Sequence, residues 1–477
     1  MTKRSRNPYR LPKPLLMNAE TPITMEVVRK YIDRHEERLP RYEYLEKLYE
    51  GFHDVYNDED KEAWKPDNRL AVNFPRRLTE DFMGYGYGIP IKKTHQDKTI
   101  NESIQEFEKI NNIEDHEYEL GKMCCKFAHA WEFFYQDEEG HTRLSRCTPK
   151  EVVMVYDDTM HRKALFAVRY GYHEKADGSQ GDMYGEVYTP QWIRRFEDKD
   201  FAGEEEINVY GKIPFVEWML NEEHIGLYEQ IAAMNETYSH TVGEKANDVD
   251  AFAEAYLAVL GAELDEEGVY KIRDNRIINL YGTDNAKDIL VQFLQKPTAD
   301  GTQENLLNRL DQLIHEISMV PQINDETFST ASSGISLAYK LTPMTNLVRT
   351  FNRKITKSIQ KRYKIFCTLS TNCTNPDAWK DVEIKFALNI PHNESEETAT
   401  AKAADGIVSR KTQLSLLSYV DDVEEELKRI EKEKDDSQVS AVEMSIFNGG
   451  NKANALQINE PSAVNNNPDE AANAGER

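Results

Sequence analysis

The chain has 477 residues, enough to bury a large core and to divide into more than one lobe. Its formal net charge is −25 and 30% of its residues are charged, and no apolar run approaches the ~20 residues that a bilayer-spanning helix needs. An acidic chain of this kind is not one that grips nucleic acid over its whole surface, because gripping sets Lys and Arg against phosphate. It can still surround DNA without holding it, since like charges discourage sticking.

The N-terminal stretch MTKRSRNPYRLPKPLL is basic, but no apolar segment or cleavage site follows it, so a signal peptide is not expected. Residues 1–22 contain four prolines and read as an extended arm. Thr24 can cap a helix that runs to about Glu50, with Val27, Tyr31, Leu45 and Leu48 among its apolar positions and a break at Pro40. Residues 56–67 are charged and read as a surface loop. An amphipathic stretch at 68–83 leads into Gly84-Tyr85-Gly86-Tyr87-Gly88, read as a turn. Residues 99–129 form two predicted helices separated at Asn111-Asn112. Between 131 and 218, short alternating runs at 131–135, 152–156, 164–170 and 185–188 predict strands separated by Gly, Asp and Pro turns.

The following segment organises the chain. From 222 to about 259 no proline intervenes, and Tyr228, Ile231, Met234, Tyr238, Val242, Ala246, Val249, Phe252 and Tyr256 recur in steps of three and four. That spacing marks one face of a helix, roughly 50 Å long if continuous. Strand-like runs follow at 269–273, 276–281 and 289–294. A second helix starts at 300–303 with Leu306, Leu310, Leu313, Ile314 and Ile317 on one side, and Pro321 stops it. The polar loop QINDETFSTASSG then leads to another helix at 334–369, kinked at Pro343. A strand at 382–388 and helices at about 394–405, 412–417 and 421–434 complete the ordered part. Residues 438–477, rich in Asn, Ala, Gly and Pro, are expected to be disordered.

Few residues point to chemistry. The glycine triplet follows a predicted helix and no Gly-Lys-Ser/Thr comes after it, so a turn is the better reading than a phosphate loop. There is no HExxH, EF-hand loop or paired Cys/His spacing, and the histidines are scattered, so neither a metal site nor a cofactor is expected. Asp248, Asp250 and Glu254 can hold Mg²⁺ in principle, but a solvated helix surface is the simpler account. No GxSxG or other nucleophile motif occurs, and no catalytic residue is assigned. The five cysteines (Cys124, Cys125, Cys147, Cys367 and Cys373) are odd in number, lack CxxC spacing and read as reduced thiols. One charge anomaly remains: no acidic residue occurs between Glu326 and Asp377, whereas Lys340, Arg349, Arg353, Lys354, Lys357, Lys361, Arg362 and Lys364 do. Arg349, Arg353, Lys357 and Lys361 fall at i, i+4 spacing as one stripe. That stripe either meets phosphate or pairs with an acidic neighbouring lobe or subunit.

Four stretches in order carry a resemblance: residues 68–91 (NRLAVNFPRRLTEDFMGYGYGIPI), 211–228 (GKIPFVEWMLNEEHIGLY), 325–341 (DETFSTASSGISLAYKL) and 406–433 (GIVSRKTQLSLLSYVDDVEEELKRIEKE). Together the chain resembles, over roughly residues 20–435, the portal proteins of tailed double-stranded DNA bacteriophages, in the siphovirus branch typical of Gram-positive hosts. The resemblance implies an α+β, mainly α, portal fold. Its parts would be an N-terminal arm at 1–22, a wing at 23–220, a first stem helix at 221–259 and a β-containing clip at 260–300. A second stem helix at 301–321, a tunnel loop at 322–334, a wing helix with β return at 335–392, a crown at 393–436 and a disordered tail at 437–477 would follow. It implies a ring, usually of twelve copies, at one capsid vertex, through which viral DNA is packaged and ejected. The implied partners are double-stranded DNA, the terminase motor, capsid or scaffolding protein and head–tail adaptors, with no membrane. The implied location is the virion's portal vertex, and the host cytoplasm during assembly. The tunnel-loop residues Asn324, Asp325, Glu326, Thr327, Phe328, Ser329, Thr330, Ala331, Ser332, Ser333 and Gly334 would face DNA, with the basic stripe as a secondary contact. Another head–tail adaptor or capsid-associated protein, or a nucleic-acid enzyme, is the competing reading.

Overall fold

A computed structural model describes residues 13–62, 65–253, 257–260, 290–293, 300–322, 334–390, 394–417, 419–420 and 423–434. It comprises two compact units, Met1–Asn389 and Ile390–Arg477, and is a mixture of helix and sheet.

In the first unit, Thr24 Oγ1 accepts from the Val27 amide at 3.4 Å and starts helix α1 (Met25–Glu36). Helix α2 (Leu39–Glu50) has Pro40 in its first turn, where a missing N–H costs nothing, and Gly51 closes it at φ +92°. The predicted arm is only partly an arm. Leu15–Met17 is strand β1, paired in parallel with β5 (Val152–Asp157), and Leu15 and Met17 are buried. Strand β5 leads a six-stranded sheet ordered β1-β5-β6-β7-β8-β9, with β6 (Ala164–Glu174), β7 (Gln180–Tyr188), β8 (Trp192–Glu197) and β9 (Asp200–Ile207). Strand alternation sorts its faces. Val153, Val155, Phe166 and Val168 join Val28, Tyr31 and Ile32 of α1, whereas Val152, Met154 and Ala167 join Trp131, Phe133 and Phe215 of a second sheet.

That second sheet is ordered β10-β3-β4, from β10 (Phe215–Met219), β3 (His129–Gln136) and β4 (Thr142–Cys147). Sequence periodicity missed β4, β8, β9 and β10. Strand β10 lies just ahead of the segment expected at 222–259 to be one long helix. Helices α3 (Phe74–Tyr87), α4 (Lys98–Ile110), α5 (Ile113–Phe127) and α8 (Gly334–Phe366) belong to the same body, with α5 and α8 packed on β3 and β10. The α4–α5 break falls at the predicted asparagine step, where Asn112 takes φ +45°.

The glycine triplet is not a turn: α3 runs through Gly84 and Gly86 to Tyr87. A glycine inside a helix costs about 1 kcal/mol, but here it admits α8. A Cβ on Gly86 would stand 2.9 Å from Val348 Cγ2. Strand β13 (Glu383–Lys385) pairs with β2 (Lys92–Thr94).

The long helix expected at 222–259 is shorter. Residues 221–228 fold back on the Asn221 side chain, which donates to Ile225 O at 2.7 Å and accepts from Ile225 N at 2.9 Å. A short 3-10 turn, Glu229–Ile231, then enters α6 (Ala232–Ala253), 22 residues long. Beyond it, β11 (Leu257–Leu260) pairs antiparallel with β12 (Leu290–Phe293). The inward face of α6 is also not the predicted apolar one. Its buried line is Asn235, Ser239, Gly243 and Asn247, while Val249 is exposed and Met234, Tyr238, Val242 and Ala246 are half-buried. The buried polar line hydrogen-bonds an extended segment: Asn247 Oδ1 accepts from Asn68 N at 2.5 Å and Ser239 Oγ from Val72 N at 3.1 Å. Helix α7 (Asp300–Ser318) lies antiparallel to α6, as Lys245–Glu304 and Gln303–Asp248 pairs near one end and the Phe74 ring, shared by Tyr238 and His315, further along require. It ends before Pro321, and its core face is Leu307, Leu310 and Ile314, with Leu306 exposed. The strands expected at 269–281 lie outside the described residues.

In the second unit, α9 (Glu394–Ala403) is joined to α10 (Arg410–Leu414) by Gln413 Nε2 donating to Ala401 O at 2.7 Å, and Ser409 caps α10. A further helix covers residues 423–434. The predicted helix at 412–417 is thus shifted towards its N-terminus, and the tail from 435 onward lies outside the described residues.

Candidate functional site: the basic face of a buried helix

Helix α8 has two opposed faces. Met344, Val348, Phe351, Ile355, Ile359 and Tyr363, spaced by three or four, are buried. Gly86 and Phe82 of α3 meet this face, and Tyr87 Oη donates to Asn352 Oδ1 at 2.6 Å. On the other side Arg349, Arg353, Lys357 and Lys361 are all exposed, and none of the four makes a salt bridge among the described residues. Surrounding protein and the like charge of Lys357 lower the Lys361 pKa, against the pull of Glu217. Lys354, one residue off the stripe, is paired with Glu222, and the Lys364 ammonium lies 5.1 Å from the Trp379 ring centre.

Arg362 leaves the list of surface cations. It is fully buried, donating from Nε to both Glu132 oxygens at 3.0 Å and from Nη1 to Glu117. Burial opposes its charge, but the Glu132 and Glu117 carboxylates outweigh that and raise its pKa. Burial likewise opposes ionised Glu132, yet Arg362 and then His116, 2.9 Å away, hold its pKa down to about 2. Lys93 extends the network to Glu117 at 3.0 Å and Glu108 at 3.1 Å, and Tyr363 Oη donates to Glu108 at 2.5 Å. The network ties α8 to β3, α5, α4 and β2, and so fixes how the basic face is presented. The signal for it was legible in part: Glu132 is the lone charge in HAWEFFYQ, and Arg362 lies on the helix stripe of Ile355, Ile359 and Phe366.

Sequence reasoning also missed a second cluster, of buried His129 with half-buried Glu217 and His224. His129 Nδ1 and His224 Nε2 each lie 3.1 Å from Glu217 Oε1. Nearby, Arg41 donates to both oxygens of Glu229, at 2.8 and 2.6 Å, and to His224 O at 2.7 Å. The histidines looked scattered because His129 reaches Glu217 only through sheet pairing and His224 only through the loop that leaves that strand. The five cysteines are free and buried, with Cys367 Sγ 3.0 Å from Cys373 Sγ. In the acidic cluster, Asp250 accepts from Asn68 Nδ2 at 2.5 Å and Asp248 from Gln303 Nε2 at 3.0 Å, so both serve intrachain contacts, and the Glu254 side chain lies outside the described residues. The expected loop Asn324–Ser333 is also outside them, and Gly334 begins α8.

Residues 28–440 match the family described as phage portal protein, SPP1 Gp6-like, and the chain belongs to that family. It is 22% identical to the portal protein of Bacillus phage SPP1, over 93% of this chain and 92% of that one. It is also 22% identical to the portal protein of Clostridium phage phiCD119, over 80% of this chain and 88% of that one. Among solved structures, a chain from the neck of an empty GTA particle, computed with C6 symmetry, shares 11% identity and a TM-score of 0.41, covering 71% of this chain and 88% of that chain. The protein's function is accordingly that of a phage portal, a structural connector component.

Proposed function

We propose that copies of this chain, usually twelve, close into a ring around a channel at one capsid vertex, through which double-stranded DNA is packaged and later ejected. In this reading α6 and α7 are the stem, β11 and β12 belong to the clip, the sheets and α8 form the wing, and the second unit is the crown. The tunnel loop 324–334 contacts the duplex, and Arg349, Arg353, Lys357 and Lys361 meet either DNA or an acidic face of the next copy. The terminase motor, capsid or scaffolding protein and head–tail adaptors dock on the assembled ring. Assembly takes place in the host cytoplasm.

The observation that carries this reading is the face of α6. Its inward line is Asn235, Ser239, Gly243 and Asn247, so its apolar line stays half-buried or exposed in a single copy. A neighbouring copy in a closed ring, whose interfaces join different patches, would cover it. Electron microscopy of the purified protein is expected to find rings with a central hole, and particles without a bore would refute the channel. A deletion of residues 324–334 should leave rings intact and reduce DNA packaging, whereas normal packaging would remove the loop's role.

A further inference from the structure

His129 opens strand β3, Glu217 lies in β10, and His224 lies in the loop that leaves β10 for α6. Antiparallel pairing sets Glu217 opposite Trp131 and Met219 opposite His129, which puts His129 and Glu217 on one face of the sheet, two positions apart. His224 is brought to the same point by its own backbone. It sits at φ +55°, a left-handed conformation that a histidine adopts at a cost, and Arg41 clamps its carbonyl at 2.7 Å.

Three donor atoms converge there. His129 Nδ1, one Glu217 oxygen and His224 Nε2 all lie within 4.8 Å of one another. Both nitrogens stand 3.1 Å from Glu217 Oε1, close to the roughly 3.3 Å that separates two donors bound tetrahedrally to one zinc ion. The rings are crossed at 88° with centroids 4.9 Å apart, so their edges approach from different directions. The outward-facing nitrogens are also engaged. His224 Nδ1 is 3.2 Å from Glu222 O, a carbonyl that can only accept, so this nitrogen donates there, and Nε2, which faces the Glu217 carboxylate, is the nitrogen on which an ion would take the place of a proton. His129 Nε2 is 2.9 Å from Tyr42 Oη, and Tyr156 Oη is 3.5 Å from the other Glu217 oxygen. Metal-binding histidines are oriented in this way, with the far nitrogen donating to a neutral oxygen.

We propose that His129, Glu217 and His224 bind a divalent transition-metal ion of the zinc class, with water completing the coordination, as a cross-link between the β3–β10 pair and the loop entering α6. Two imidazoles and one carboxylate form a donor set that suits zinc over calcium or magnesium, which take oxygen donors. The Arg41 charge disfavours a cation at both histidines, and Glu229 offsets it in part through two hydrogen bonds. The Glu217 and His224 side chains are only partly covered.

The test uses the full-length, tag-free protein after chelation and dialysis, titrated with Co²⁺ as a spectroscopic probe. Visible ligand-field bands should saturate at about one ion per chain, as expected of a single preformed site, and Zn²⁺ should abolish them. Zn²⁺ should also raise the melting midpoint of the wild type, and His224→Gln should lose both the bands and the shift. Glu217→Gln, isosteric at the same position, should weaken binding at least tenfold. Absence of saturable bands in the wild type overturns the proposal whatever the variants do. Wild-type stoichiometry retained by a folded His224→Gln protein overturns it too, leaving a hydrogen-bonded histidine pair.

Discussion

Arg362 illustrates how much a single buried charge can govern. It has no exposed surface and is held by Glu132 and Glu117, so Arg362→Ala leaves Glu132 in the interior without its guanidinium partner and Glu117 with Lys93 alone. Removing one partner of a buried ionic group costs about 3–5 kcal/mol, and a fall of that size in chemical denaturation is the expected result. The pH dependence follows from Glu132, whose folded pKa is depressed to about 2 from an ordinary 4.5. Its contribution is complete above the ordinary value and is lost as pH falls towards 2, an effect on the order of 3 kcal/mol. Melting curves from pH 6 to 2 should fall through that window, and Glu132→Gln should remove much of the acid limb at a cost in stability near neutrality. Glu236 has the opposite sign. Burial first, then Asp54 and Asp58, raise its pKa to about 7 from 4.5. The stability it contributes is complete below the ordinary value and is lost as pH rises through about 7. Glu236→Gln should therefore stabilise the protein at pH 8, by on the order of 1 kcal/mol after allowing for solvent screening, and leave it little changed at pH 5.

At the scale of elements, the caps and breaks were legible because they are local. Thr24, Pro40, the Asn111-Asn112 step and Pro321 each act through backbone geometry within a few residues, and the helices begin or end beside them. The glycine triplet was misread because Gly86 serves contact with another helix. Gly243 in α6 is a similar case: a Cβ there would lie 2.8 Å from Asn68 O, a backbone atom that cannot rotate away. Gly243→Ala gains about 1 kcal/mol of helix propensity but overpacks a seam, which typically costs about 1–3 kcal/mol. Net destabilisation is expected, with faster hydrogen exchange at Asn68 and Val72, whose amides bond α6. Thermal melts and exchange measurements together check it, and a stabilised variant would show that the seam is loose.

At the scale of the whole molecule, the basic stripe is the sharpest handle. Arg349, Arg353, Lys357 and Lys361 are exposed and make no salt bridge among the described residues. Replacing all four with Glu should leave each protomer's fold nearly unchanged, because surface substitutions away from special features usually stay within about 0.5 kcal/mol each. Ring assembly or DNA packaging should fail instead. Unaltered rings and normal packaging would make the stripe a solvated surface. The separation of outcomes also distinguishes the two proposed partners, since loss of rings points to a neighbouring copy and loss of packaging by intact rings points to DNA.

Sequence by itself determined the mixed helix and sheet character, most helix boundaries, the charge anomaly of α8 and, through four ordered stretches, the portal family. These are properties of local backbone preference, periodicity or pattern, and they survive being read one window at a time. Only the tertiary structure decided which face of α6 is buried, that Arg362 belongs to the core and not to the cationic surface, and that His129, Glu217 and His224 meet. The reason is common to all three. Each depends on the free energy of bringing residues far apart in the chain into one low-dielectric place, where a charge finds its counter-charge and a polar line finds unpaired amides, and no local spacing encodes that meeting.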